Sequence, residues 1–553
     1  MSRLDDFREI AHARSTGVAS ALVSDRILYP HGPNRLPPLW AFPAAQLAYN
    51  ANNIQIYMFM ILLIAAGLGN IAVGHVSGLG WMMQRFIGRA RELEALERAW
   101  ASNRFEFTVV YGRRRVGKTR LIREYIADKP AVYFMALEAD EATNLASFSR
   151  AFFQFQASTG TDMPGSRARY SSFEDLFADM ADAARRTPFV LVIDEFPYLA
   201  ASWPPTSSLL QKFCDSQWAA TGLHLILCGS SMSFMERQVL SAKSPLYGRR
   251  TGQIRLRPFD FVDTEDFLSP MPRADAAILY AATGGVAEYL DFIDTGQSVT
   301  RNLAKLFFDP SGRLVEEPGN LLKQELREPK RYSSILRAIA DGASKHNQIA
   351  TKTGIPTGAL TNYLDALIDL GIVGKQTPWN ATMKTGGRQT IYRIQDGCFR
   401  FWYRFVQPNL STIELGAGSA ALEANVVPEL NSFMGLGFER IVTDLFDRDN
   451  AAGKLPELYQ NRARWWGNDP KTRQSEEIDL VAGGAKTTLF IEAKWAGQPI
   501  GSDVLKTLEN RSQLVKHHGT PRYAIYAKSG FTPELTRHAK ARTDVDLHSF
   551  LEK

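Results

Sequence analysis

The residues whose types and spacing bear most directly on chemistry are Gly112, Arg113, Arg114, Arg115, Val116, Gly117, Lys118, Thr119 and Arg120. A β-branched and aromatic run, Phe107–Tyr111, precedes them and the helical pattern Leu121–Asp128 follows. Strand, glycine loop and helix in that order aim backbone N–H groups at a helix N-terminus, where a phosphate group is held. Lys118 then neutralises the β- and γ-oxygens of a bound nucleotide and Thr119 turns its hydroxyl to Mg²⁺, so ATP and Mg²⁺ are the expected cofactors. The bland alternative is a glycine turn beside a solvated basic cluster.

A second run, Phe189–Ile193, is apolar throughout, as in a strand buried on both faces of a parallel sheet, and it ends in Asp194-Glu195. Carboxylates at that end of a strand face the ligand crevice. Asp194 is expected to hold the Mg²⁺ shell and Glu195 to orient and polarise the attacking water, the competing reading being an acidic helix cap. A third run, Leu223–Cys228, ends in Gly229-Ser230-Ser231, which brings the Ser230 hydroxyl to the terminal phosphate unless it only caps a helix. Arg249 and Arg250 precede another short strand, and either guanidinium can serve as an arginine finger for a neighbouring subunit or stand as part of a surface pair.

The last third of the chain carries a different set. Asp479 follows Glu477 on one strand pattern, and Glu492 and Lys494 share one face of the next, because side chains alternate with period two. Asp479 and Glu492 offer hard oxygen ligands to Mg²⁺, while Lys494 can lower the pKa of a water or steady a scissile phosphate. Glu439, on the preceding helical stretch Asn431–Phe446, is a weaker fourth member that a solvated helix glutamate would imitate. Trp465 and Trp466 read as core or hairpin aromatics rather than base-stacking platforms.

The elements that must position these groups form an α/β chain. FIGRARELEAL, YGRRRVGKTRL, VLVIDEFPYL, ILCGSSMSFM, LYGRRTGQI and LRPFDF together resemble the prokaryotic, archaeal-type ATPases of the AAA+/STAND kind over about residues 84 to 310. The resemblance implies a P-loop NTPase parallel sheet with a helical lid. The lid-like segment Tyr280–Leu290 departs from that family by carrying Ala287 where proline is usual. Leu360, Leu364, Leu367 and Ile368 mark the third of three helical patterns, and two short strands flank a loop with Lys384 and Arg388. This arrangement resembles a winged helix-turn-helix, which implies DNA contact through Thr357, Thr361, Asn362 and the basic wing, or else a docking module or spacer. The Asp479, Glu492, Lys494 set resembles a PD-(D/E)xK, restriction-endonuclease-like α/β domain.

These readings divide the chain into an extension at 1–82, an ATPase core at 83–258, a helical lid at 259–316, a winged helix at 317–395, a linker at 396–430 and the nuclease-like domain at 431–553. With 553 residues, 45% hydrophobic and 22% charged, the chain is too rich in apolar residues for global disorder. Three cysteines, Cys214, Cys228 and Cys398, are too few for a disulfide scaffold and lack metal-site spacing. A cytoplasmic location is the expectation. The net charge of +6 permits a nucleic-acid partner without requiring one. The apolar run at 54–74 is a membrane anchor that leaves the ATPase in the cytoplasm, a buried helix, or part of an over-extended start ahead of Met82 and Met83. Two function classes stand: an ATPase that controls a DNA-directed, Mg²⁺-dependent nuclease, possible as a homo-oligomer, and a STAND-type nucleotide switch for signalling or partner recognition with an inactive nuclease-like domain.

Overall fold

The computed structural model describes residues 86–160, 169–379, 381 and 386–552. The N-terminal extension, Lys384 and the Arg388 side chain lie outside the described residues. No helix among those described is long and apolar enough to cross a membrane.

Five strands, β1 (Glu106–Tyr111), β2 (Ala131–Met135), β3 (Val190–Asp194), β4 (His224–Gly229) and β5 (Gly252–Arg255), form one parallel sheet in the order β2-β3-β4-β1-β5. Every residue of β1, β3 and β4 is buried, which is why their sequences are mostly apolar, with Glu106, Thr108, Asp194 and His224 as the exceptions. Val109, Leu191 and Leu225 join the aromatic cluster of Phe134, Phe148 and Phe177, to which α3 (Glu141–Ser158) and α4 (Phe173–Arg186) contribute. Val110, Val192 and Ile226 point the other way, to α1 (Ala90–Ala101) and α2 (Lys118–Tyr125). Because β4 lies between β1 and β3, the loop after β1, the acidic end of β3 and Ser230 after β4 converge at one edge of the sheet.

A helical region follows: α5 (Phe261–Phe267), α6 (Arg273–Thr283), α7 (Ala287–Asp291) and α8 (Glu317–Glu325). Then come α9 (Pro329–Ala340), α10 (His346–Thr353) and α11 (Thr357–Asp369), with the antiparallel pair β6 (Val373–Gln376) and β7 (Ile391–Ile394). Leu360, Leu364 and Leu367 bury one face of α11, and Thr357, Thr361 and Asn362 lie exposed on the other.

The linker expected at 396–430 is corrected by the structure. Asp396 caps α12 (Gly397–Phe401), its carboxylate accepting from the Phe399 N–H, and helical turns continue to the long helix α13 (Leu430–Ala451). Cys398, Phe399, Phe401, Tyr403, Phe405 and Val406 are all buried. Removing several such aromatic side chains from water contributes about 2 kcal/mol each, so the segment belongs to the core that joins lid and C-terminal parts. Residues 86–553 accordingly form one compact unit.

The C-terminal region is a mixed five-stranded sheet, β12-β11-β10-β9-β8, made from β8 (Asn461–Asn468), β9 (Ser475–Gly483), β10 (Thr487–Lys494), β11 (Thr520–Ala527) and β12 (Val545–Ser549). The first three run antiparallel and the last three parallel. Phe490 and Val481 pack with Leu505 and Leu508 of α14 (Ser502–Ser512), whereas Ile491 and Ala493 lie in the core that includes Phe438 and Ile441 of α13. Trp465 is buried in the first of these layers, a structural aromatic as its sequence context implied.

Candidate nucleotide site and C-terminal acidic site

The loop after β1 closes tightly against its neighbours. A Cβ on Gly112 would meet the Leu256 carbonyl oxygen at 2.3 Å, and Gly117 has a φ of 93°, so both positions require glycine. Gly117 leads directly into α2, whose first residue is Lys118. The Lys118 ammonium donates to the carbonyls of Gly112 at 2.9 Å and Arg113 at 3.0 Å. Burial lowers its pKa from the ordinary lysine value, with Glu195 and Asp194 pulling the other way. A buried ammonium that only loop carbonyls satisfy is a ready partner for an entering phosphate.

Thr119 Oγ1 donates to Asp194 Oδ2 at 2.9 Å, and the Tyr133 hydroxyl donates to the same oxygen at 2.6 Å. Asp194 Oδ1 accepts from the Glu195 N–H at 2.9 Å. Hydroxyl and carboxylate oxygens in direct contact are the hard donor pair that Mg²⁺ takes, so the residues present fit the ion. Glu195 sits at a φ of 49°, and its Oε2 accepts from Ser230 Oγ at 2.9 Å. The three sequence motifs therefore meet side chain to side chain. Tyr133 was not anticipated, since nothing in β2 distinguishes it from another strand aromatic.

The loop arginines turn their side chains away from the loop, to carboxylates of later elements. Arg113 pairs with Asp396 at 2.6 Å, both more than nine-tenths buried. Arg114 reaches Glu325 of α8 at 3.3 Å and donates to the Tyr198 hydroxyl at 3.1 Å. Arg115 pairs with Glu317 and, at 3.6 Å, with Glu288. The lid adds a backbone contact, the Glu288 N–H donating to the Arg115 carbonyl at 3.2 Å, and a Cβ on Gly117 would lie 3.6 Å from that of Ala287. Val116 is buried and gives its carbonyl to Arg89 at 3.1 Å, while Arg120 is exposed on α2. Arg249 chelates Asp215 on the surface, and Arg250 donates to the Leu240 carbonyl at 3.1 Å. A cavity of about 1120 Å³, bounded by Gly88, Gly112, Arg113, Phe259, Tyr280 and Asp396, opens beside the loop's first two residues rather than at Lys118.

The C-terminal set is held in another manner. The β9–β10 ladder ends at Leu480 opposite Ile491, and beyond it the Asp479 Oδ2 accepts from the Ala493 N–H at 2.9 Å. Glu492 pairs with Lys494 at 2.6 Å and, at 3.5 Å, with Arg511 of α14. Glu492 is 3% exposed, and its Oε2 is buried with no hydrogen-bond partner. Burial raises the carboxyl pKa of Asp479 and Glu492 above the usual range. Lys494 is raised because Glu492 and Asp479 outweigh its desolvation. An orphaned buried carboxylate oxygen beside a second carboxylate fits a divalent cation. Among the described residues, no three His, Cys, Asp or Glu side chains stand as a ready ligand set.

Glu439 is partly buried and ion-paired rather than solvated. Burial, with Asp479 adding like charge, pushes it up to about 7. Its Oε2 accepts from Arg464 at 2.5 Å, and Arg464 also reaches Glu477 at 2.8 Å and Asp479 at 3.9 Å. Arg464, Arg511 and Arg393 escaped the sequence reading, and Glu477 entered it only as a strand residue beside Asp479. Arg464 sits one residue before the paired tryptophans on β8, and no spacing rule connects it to Glu439 or Asp479.

Residues 86–292 match an ATPase domain found predominantly in Archaea, and residues 402–508 match a family of archaeal and bacterial proteins of unknown function. An uncharacterised protein of Methanocaldococcus jannaschii is 32% identical over 412 residues, which cover 74% of this chain and 87% of that protein. The chain belongs to this family of archaeal-type ATPases. An uncharacterised ATP-binding protein of the same organism is 50% identical over 44 residues, 8% of this chain and 75% of that one. Among solved structures, a Walker-type ATPase of Pyrococcus abyssi aligns with a TM-score of 0.45 and 23% identity, covering 58% of this chain and 96% of its own. The ORC2 protein of Aeropyrum pernix aligns at 0.38 and 15%, covering 62% and 98%.

In this archaeal-type ATPase, the lid and the acidic site share one helix. Arg448 of α13 pairs with Asp260 and Asp263, each at 2.6 Å, and Asp444 accepts from the Tyr280 hydroxyl at 2.6 Å. A Cβ on Gly437 would lie 2.8 Å from that of Ala281, so α13 and α6 touch almost backbone to backbone. The same helix carries Glu439.

Proposed function

We propose that ATP binding and hydrolysis in this chain govern a DNA-directed C-terminal module with Mg²⁺-dependent nuclease chemistry. The observation that carries this reading is α13, which bears Glu439 in the acidic site and Asp444 and Arg448 against the lid. At the first site, Lys118 binds the β- and γ-phosphates, Thr119 and Asp194 hold Mg²⁺, and Glu195, steadied by Ser230, orients the attacking water. Arg249 or Arg250 completes the charge stabilisation from a neighbouring subunit. The cavity beside Gly112 has room for the rest of the nucleotide.

At the second site, Asp479 and Glu492 hold the metal and Lys494 lies where it can steady the scissile phosphate or a water proton. Bound Mg²⁺ would supply Lewis acidity there. The exposed residues of α11 meet a DNA backbone or groove. The module resembles a PD-(D/E)xK domain in its strand-borne Asp479, Glu492 and Lys494, and the helices before β6 resemble a winged helix.

The test is a cleavage assay on linear and circular DNA with Mg²⁺ or Mn²⁺, with and without ATP. Cleavage should vanish in Asp479→Ala, Glu492→Ala and Lys494→Ala while ATP hydrolysis persists. A wild-type protein that binds DNA or a protein partner and cleaves nothing under any metal condition supports the second reading, a nucleotide switch. That reading is favoured by Arg464, whose guanidinium already neutralises Glu439 and thereby competes with a metal for it.

A further inference from the structure

The strand pair β6–β7 does not stand free as a wing. The Trp379 N–H, just after β6, donates to the Arg464 carbonyl at 2.9 Å. The Trp379 ring lies 2.8 Å from where a Cβ on Gly483 would stand, and it packs against the layer formed by Phe490 and Trp465. The pair is thus pinned to the C-terminal sheet beside the residue that ties Glu439 to Glu477.

This docking brings Arg393 of β7 into the acidic site. In register Arg393 faces Gly374, which has no side chain to cover it. Its electrostatic neighbours are Arg464, Glu439, Glu477 and Asp479, and its guanidinium makes no hydrogen bond or ion pair among the described residues. The other cations there are committed: Arg464 to Glu439 and Glu477, Lys494 to Glu492, Arg511 to Glu476 and Glu492. Glu439 and Glu477 are already engaged by Arg464, so the half-buried Arg393 guanidinium has nearby negative charge but no direct carboxylate partner to take its donors. A planar fork with free donors fits two oxygens of one phosphate group.

We propose that Arg393 is a phosphodiester-contacting residue of the C-terminal site, delivered by the β6–β7 pair onto a DNA strand held there. This rests on the reading of that site as DNA-directed. It also makes the site composite, completed by a segment outside the sheet that carries the carboxylates.

The experiment is fluorescence anisotropy of the full chain with a labelled DNA duplex, using Ca²⁺ in place of Mg²⁺ to permit binding without cleavage. Arg393→Ala should weaken binding about tenfold and reduce the slope of log affinity against log salt by about one, with Arg393→Lys recovering most of both. ATP hydrolysis should be unchanged, since Arg393 touches nothing in the nucleotide site. If the alanine variant unfolds, Arg393→Gln takes its place with the same expected losses. Wild-type affinity and slope in the Ala or Gln variant, alongside metal-dependent cleavage that still needs Asp479 and Glu492, overturns the contact and leaves the nuclease reading intact. No DNA binding by the wild-type chain overturns both.

Discussion

The nucleotide loop and the C-terminal acidic site both set a lysine near two carboxylates, yet they are positioned by different means. At the loop, Lys118 is fixed by backbone carbonyls, and Asp194, Glu195 and Ser230 stand at the ends of adjacent parallel strands, so the sheet itself sets their spacing. At the C-terminal site, side chains from β7, α13, β8, β9, β10 and α14 hold one another by charge. A site made by the backbone tolerates changes in its surroundings. A site made by a charge network shifts whenever one member moves, which suits a module under the control of another.

The largest effect that separates the two is on turnover. Glu195→Gln should lower ATP hydrolysis by about a thousandfold with nucleotide binding retained, as an amide keeps the shape but takes no proton. Lys118→Ala should weaken nucleotide affinity by about a hundredfold or more in a calorimetric titration. Neither should alter metal affinity at Asp479 and Glu492, and a change there would mean that the two sites are not independently built.

Next in size is the buried pair that ties the loop to the C-terminal half. Asp396→Ala strands Arg113 and removes the α12 cap, so unfolding stability should fall by about 3–5 kcal/mol. An Arg113→Met, Asp396→Leu double variant should recover most of this, and a double variant as unstable as the single one would show that packing, not charge, is at stake.

A smaller, pH-dependent effect belongs to the nucleotide sheet alone. His224 accepts burial as a neutral ring, Nε2 at 2.9 Å from Thr108 Oγ1 and Nδ1 at 2.9 Å from the Tyr125 hydroxyl, and desolvation lowers its pKa to about 4 from 6.5. A base with a depressed folded pKa gives stability that is complete above the unfolded value and is lost as pH falls towards the folded one. The unfolding free energy from denaturant titrations should therefore drop between about pH 6.5 and 4, by up to about 3 kcal/mol, and His224→Gln should lose less over that window. Smallest is Arg249→Ala, which should leave the melting temperature unchanged because its pair with Asp215 is exposed. Turnover lost in that variant and partly restored by mixing with Lys118→Ala subunits would assign Arg249 across a subunit boundary.

How much of this was legible in the sequence follows from where the positioning forces act. The run at 189–193 announces β3 because burial on both faces demands apolar residues without a break, and the carboxylates after it mark the strand end. The expectation of a linker at 396–430 fails because CFRFWYRFV is too aromatic to face water, a composition signal present in the sequence itself. Lys494 beside Glu492 was legible from strand alternation, whereas the arginines around the C-terminal carboxylates were not. Arg393, Arg464 and Arg511 reach one site through sheet pairing and loop docking, and no local pattern encodes those distances.

The Arg113–Asp396 pair also orders events in time. A ribosome makes the phosphate loop long before it makes Asp396, and until then the guanidinium of Arg113 has no counter-charge to follow it into the interior. The nascent chain therefore cannot form this buried pair until the helices and strands between β1 and α12 have been synthesised. Burial of this loop arginine is in this way postponed until every element up to α12 has already emerged.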